Sequence, residues 1–103
     1  MITKEISEKI EQNMETKGIV KDPFWVNAMV FYIWVVIEAF PGYNDIQIKK
    51  LLKTLNYNEI RMLFSGLSDK KKQALSEEGE DSFLNLPSKT AADIVSMLNT
   101  IDF

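Results

Sequence analysis

The 103-residue sequence contains neither cysteine nor histidine. The first absence removes disulfides, thiol nucleophiles and thiolate metal sites. The second removes imidazole as a metal ligand, a proton shuttle or the base of a serine-type triad. Glycine (4) and proline (3) are scarce as well. Four scattered glycines form no phosphate-cradling loop, and no serine stands on a Gly-x-Ser-x-Gly turn. Paired-carboxylate chemistry needs two acids facing one substrate. Here the acids lie on polar helix faces or in the run Glu77–Asp81, and Glu38 has no partner at a recognisable spacing. The acidic run lacks the alternating oxygen ligands of a calcium loop. These absences exclude the common catalytic and metal-binding constellations, so the expectation is a protein without enzymatic activity, cofactor or metal.

What the chain does have is ordinary globular material, 46% hydrophobic and 26% charged. That is enough apolar content to offset the entropy of ordering, and the length suits one domain over residues 1–103. The net charge is −3, but it is unevenly spread. Residues 46–72 hold seven basic residues against two acidic ones, and the segments on either side are acidic. Met1–Glu5 is polar with alternating charge, unlike a secretory leader. With no cysteine to oxidise, the expected location is cytoplasmic.

The periodicity is helical throughout. Ile2, Ile6, Ile10 and Met14 form one narrow apolar stripe before Gly18. Asp22-Pro23 is a helix start, with a capping carboxylate followed by a residue suited to the first turn. Phe24–Phe40 then runs 17 residues with only Asn27 and Glu38 plainly polar, and Pro41-Gly42 ends it. At about 1.5 Å per residue it reaches about 26 Å, short of the ~30 Å hydrocarbon layer, so no membrane span is expected. The β-branched stretch Val30–Ile37 suits a strand, but no turn signal divides it for strand pairing. A helix buried on most of its circumference fits better.

Four shorter segments follow. Tyr43–Ile48 offers Asn44 as a cap, Gln47 reaching back to it, and Tyr43 with Ile48 as a hydrophobic staple. Ile48, Leu51, Leu52 and Leu55 make one face. Asn58 is read as the cap of the next helix, with Tyr57 and Met62 as its staple and Ile60, Leu63, Phe64 and Leu67 as its face. Ser68–Glu78 is a weak helix with only Ala74 and Leu75 as apolar content. Phe83, Leu84 and Leu86 tuck a connection onto the core. Pro87-Ser88 opens a last helix with Ala91, Ile94, Val95, Leu98 and Ile101 inward. The expected fold is all-α: a compact bundle of five, possibly six, short helices around a central apolar helix at about 23–40.

That central helix carries the functional expectation. A chain this small encloses a helix only if its neighbours cover nearly every side. If single-striped neighbours leave it partly bare, an aromatic face containing some of Phe24, Trp25, Phe31, Tyr32 and Trp34 stays exposed, and Trp25, Phe31, Tyr32 and Trp34 are the candidate contact residues. The leading reading is therefore a protein–protein interaction module, an adaptor, inhibitor or immunity-like binder, that contacts another protein or forms a homodimer. In size, charge and class the chain is similar to bacteriocin-type immunity proteins and phage-encoded inhibitors, a likeness that rests on no motif. The alternative is a helix-turn-helix DNA reader over 46–67. Asn58, Glu59, Arg61 and Ser65 would then meet base edges, with Lys49, Lys50 and Lys53, and Lys70, Lys71 and Lys72 after them, on phosphates. The acidic total and the bulky Leu52 at the helix junction oppose it.

Overall fold

Proline at the first helical position, then sixteen residues free of glycine and proline, make Pro23–Ala39 one unbroken α-helix, α1. In this computed structural model residues 8, 9, 12, 23–77 and 81–100 are described. Residues 8, 9 and 12 are helical. The Ile2–Met14 stripe, the Gly18 stop and the Asp22 cap lie outside the described residues. After α1 come α2 (Asp45–Leu52), α3 (Tyr57–Ser65), α4 (Asp69–Glu77), a 3-10 turn (Asp81–Asn85) and α5 (Ser88–Thr100). Among the described residues there is no strand. The fold is all-α, with α1 at its centre, and no described helix is long and apolar enough to cross a membrane.

The β-branched residues of α1 are helical because its neighbours bury them. Ala28, Met29, Phe31, Tyr32, Ile33, Val35 and Val36 are all buried. α2, α3, α4 and α5 each pack against α1, and α3 also packs against α5. Burial of this kind outweighs the few tenths of a kcal/mol per residue by which branched side chains disfavour a helix. An aromatic cluster ties the layers together. The ring of Phe31 lies 5.8 Å from Phe83 and 6.2 Å from Phe64, and Tyr32 lies 6.0 Å from Tyr57. One stripe of α1 is only half-buried: Val26, Val30, Trp34 and Ile37, at helical spacing.

Of the aromatics expected to share an outward face of α1, Phe24 is exposed. Phe31 and Tyr32, taken from the sequence as outward contacts, lie in the core. Trp25 and Trp34 are half-buried. Their nine-residue separation is about two and a half turns, which puts them on opposite sides of the helix.

Local signals set the shorter helices. At α2, Asn44 Oδ1 accepts from Gln47 N and Gln47 Oε1 accepts from Asn44 N, both at 2.9 Å. Tyr43, however, stacks on Phe40 at 4.8 Å and is substantially exposed, so it is not a buried staple for Ile48. At α3 the cap is Asn56, not Asn58. Asn56 Oδ1 accepts from Glu59 N at 2.9 Å, and Glu59 Oε1 accepts from Asn56 N at 3.2 Å. The reason is reciprocal: three residues after Asn56 stands a carboxylate that can return the bond, whereas three after Asn58 stands Arg61, which has no acceptor. With Asn56 as the cap the staple positions fall at Leu55 and Ile60, both buried, and Met62 is exposed. Ser68 Oγ accepts from Lys71 N and starts α4, whose one buried side chain among those described is Leu75. Phe83 and Leu84 of the 3-10 turn are buried, as the sequence predicts. So are Ala91, Ile94, Val95 and Leu98 of α5. Residues 78–80 of the acidic run and Ile101 lie outside the described residues.

Candidate functional site

Helix α3 turns Tyr57, Ile60, Leu63 and Phe64 inward. Its period of about 3.6 then brings Asn58, Arg61, Met62 and Ser65 together on the outer face, and all four are exposed. Met62 is 74% exposed, against 66% for Ile46 and 46% for Tyr43. An isolated exposed apolar residue needs no explanation. Met62 is not isolated, because it stands on the rim of a cleft.

That cleft, of about 420 Å³, opens between the end of α1, α3 and the start of α4. Ala39, Pro41, Met62, Leu63 and Leu67 give it an apolar wall, and Glu38 and Lys71 supply its charges. Lys71 reaches from α4 to α1, where its Nζ donates to Glu38 O at 2.9 Å and lies 3.8 Å from Glu38 Oε2. The carbonyl is one of the last-turn groups that an α-helix leaves without an internal donor. The ion pair, partly open to water, adds at most about 1 kcal/mol. Lys71 and Glu38 thus form a brace between two helices. This engages Glu38 with a cation at the helix end, and among the described residues Glu38 is the one acidic side chain that lines the cleft.

A second cleft, of about 450 Å³, opens on the other side of α3, against α5. Asn56, Asn58 and Arg61 line it from α3, and Ser88, Ser96 and Asn99 line it from α5. The Arg61 guanidinium lies 5.8 Å over the ring of Tyr57, a cation–π arrangement. Burial pushes the Tyr57 hydroxyl up from its ordinary pKa, and the Arg61 charge and a backbone hydrogen bond from Leu86 pull the other way. Behind this cleft Asn99 Nδ2 donates to Leu52 O at 2.7 Å and to Leu55 O at 3.1 Å, capping the end of α2 from a helix more than forty residues away.

The residues singled out for nucleic acid separate into two groups. Asn58 and Arg61 share the α3 face and the α3–α5 cleft. Lys49, Lys50 and Lys53 line neither cleft. Lys49 and Lys50 occupy the last turn of α2, where cations offset the carbonyl end of the helix dipole. Ser65 Oγ donates to Arg61 O at 3.0 Å, within its own helix. Sequence reasoning did not single out Ser96 or Asn99, read Met62 only as a staple, and set Lys71 on phosphates, whereas its ammonium engages Glu38. For Met62 a signal existed: it falls four residues after Asn58 and three before Ser65, an apolar side chain on a polar face. Among the described residues no three acidic side chains gather as a metal site would require.

No known protein family, characterised protein or solved structure matches this chain.

Proposed function

We propose that this chain is a non-enzymatic protein-binding module, acting by stoichiometric contact, whose binding surface is the outer face of α3 with the cleft beside it. Met62 is its anchor. The observation that carries this reading is the position of Met62: a large apolar side chain, 74% exposed, at the rim of an apolar-walled cleft of about 420 Å³. Burying such a side chain on a partner is worth about 1.5–3 kcal/mol. Its unbranched, polarisable chain adapts to varied contact shapes. Methionine and arginine are both enriched at protein interfaces, and here they are adjacent. The half-buried Trp34 stripe of α1 supports contact less well, since most of its surface is already covered. As part of the same proposal the module works in the cytoplasm, where a cysteine-free chain fits the reducing conditions.

The partner is another protein; a second copy of this chain is an outcome that the test separates. The wild-type chain and Met62→Ser are used as baits, retained proteins are identified by mass spectrometry, and the purified partner is titrated against both. The expected result is a partner bound about tenfold or more tightly by the wild type. Sedimentation over a concentration series reports self-association, and a dimer that Met62→Ser dissociates identifies the partner as a second copy. Identical partners and affinities for the two baits would overturn the proposal.

A second reading, DNA binding, is favoured by one observation: Asn58, Arg61 and Ser65 project from a single exposed helix face. The net charge of −3 opposes it. Duplex binding that falls steeply with salt and weakens in Lys49→Ala and Arg61→Ala would establish it, and no binding at low salt would end it.

A further inference from the structure

The α3–α5 cleft differs in chemistry from the cleft beside Met62. Its side chains are mostly neutral hydrogen-bonding groups, and among the described residues Arg61 is its one charge and no acidic side chain lines it, although the chain as a whole is negative. Asn56 and Asn99 are engaged in the fold, one capping α3 and the other capping α2. Asn58, Ser88 and Ser96 make no side-chain hydrogen bond with another described residue. Arg61 has no carboxylate partner among the described residues. The nearby Glu59 carboxylate is committed to the amide of Asn56. Stacking over Tyr57 restrains the guanidinium without occupying its N–H donors.

We propose that this cleft receives a carboxylate carried by a partner polypeptide, with the Arg61 fork taking the charge and Asn58 and Ser96 supplying further donors. The inference rests on the reading of α3 as a protein-contact face and names the chemistry that its second flank accepts. A guanidinium fork matches a carboxylate through two parallel hydrogen bonds. One cation suits one negative charge. A duplex presents a phosphate charge about every 1.7 Å, more than the single cation lining this cleft can answer. The cleft volume, about 450 Å³, is within the ligand-sized range and accommodates an acidic side chain with its flanking backbone.

The test is an amide chemical-shift titration of the full chain with N-acetylglutamate N-methylamide, its glutamine counterpart and inorganic phosphate. The expected result is saturating shifts at Asn58, Arg61 and Ser96 with the glutamate probe. Binding should be about tenfold weaker with the glutamine probe and in Arg61→Gln, and several-fold weaker in Arg61→Lys, which keeps the charge but loses the fork. The probe titration uses the wild-type chain and the partner titration compares wild type with Met62→Ser, so probe binding without Met62-dependent partner binding marks failure of the anchor, and the reverse marks failure of the cleft. Equal responses to the two peptide probes, saturation by phosphate alone, no saturation, or an unchanged response in Arg61→Gln would each overturn the proposal.

Discussion

The hydroxyls of Tyr32 and Tyr57 donate to the same acceptor, the carbonyl of Phe83, at 2.6 and 3.4 Å. Tyr32 comes from the central helix and Tyr57 from the first turn of α3, and Phe83 lies in the 3-10 turn between α4 and α5. One carbonyl therefore holds three parts of the chain together, and its two lone pairs satisfy both donors without leaving a buried polar group unpaired.

The shared acceptor predicts non-additive mutations. Tyr32→Phe removes the shorter bond but leaves Phe83 O with the Tyr57 hydroxyl, and should cost about 1 kcal/mol. Tyr57→Phe should cost less. The double mutant leaves a buried carbonyl with neither donor and should exceed the sum of the singles by about 0.5–1 kcal/mol. Urea unfolding of the four proteins measures this, and strict additivity would show that the two bonds are independent.

Alkaline stability follows from the same pair. Burial, and secondarily the neighbouring Tyr57, raise the Tyr32 pKa well above its ordinary value. The unfolded chain releases that proton near pH 10 while the folded chain holds it. The contribution of Tyr32 to stability should therefore be constant below about pH 10 and fall above it by about 1.4 kcal/mol per pH unit. Tyr57, less buried, shifts in the same direction. Unfolding midpoints between about pH 9 and about pH 11 should show a shallower decline in Tyr32→Phe than in the wild type.

Asn99 predicts an unusual ranking. Asn99→Ala deletes both donors to the end of α2 and should cost about 1–3 kcal/mol. Asn99→Asp is nearly isosteric but sets a carboxylate against two carbonyl oxygens, so at neutral pH it should be less stable than the alanine variant. Acid should restore part of the loss as the carboxyl becomes a donor. Thermal melts at two pH values decide this. An aspartate variant as stable as wild type at neutral pH would mean that the cap carries no weight.

The two asparagines at the start of α3 should behave differently. Asn56→Ala removes the N-cap and should cost about 1 kcal/mol. Asn58→Ala, at an exposed position inside the helix, should change stability by less than about 0.5 kcal/mol while weakening glutamate-probe binding. Chemical denaturation and the shift titration on the same two variants separate the structural residue from the proposed binding one.

Features set by neighbours three or four residues apart were readable from residue order alone. The Asn44–Gln47 box, the 3-10 connection led by Phe83 and Leu84, and the inward face of α5 all rest on spacing, and spacing is local. The cap of α3 is equally legible: Glu59, three residues after Asn56, can return the bond, whereas Arg61, three after Asn58, has no acceptor. The orientation of α1 was different in kind. Its circumference is apolar nearly all round, so no polar contrast marks an outer side, and only packing against other segments, α2 to α5 among those described, covered Phe31 and Tyr32 while leaving Trp34 half-bare.

Residue order thus determined the helices, their main boundaries and the chemistries that a chain without cysteine or histidine lacks. Tertiary structure decided which surfaces face outward, and so moved the candidate site from the aromatic helix to α3. It also decided the work of Asn99 and Lys71, whose acceptors lie on helices remote in sequence. The physical reason is one of range: hydrogen-bond caps and helical periodicity are satisfied within a turn or two, whereas burial is a relation between segments that exists only once they pack.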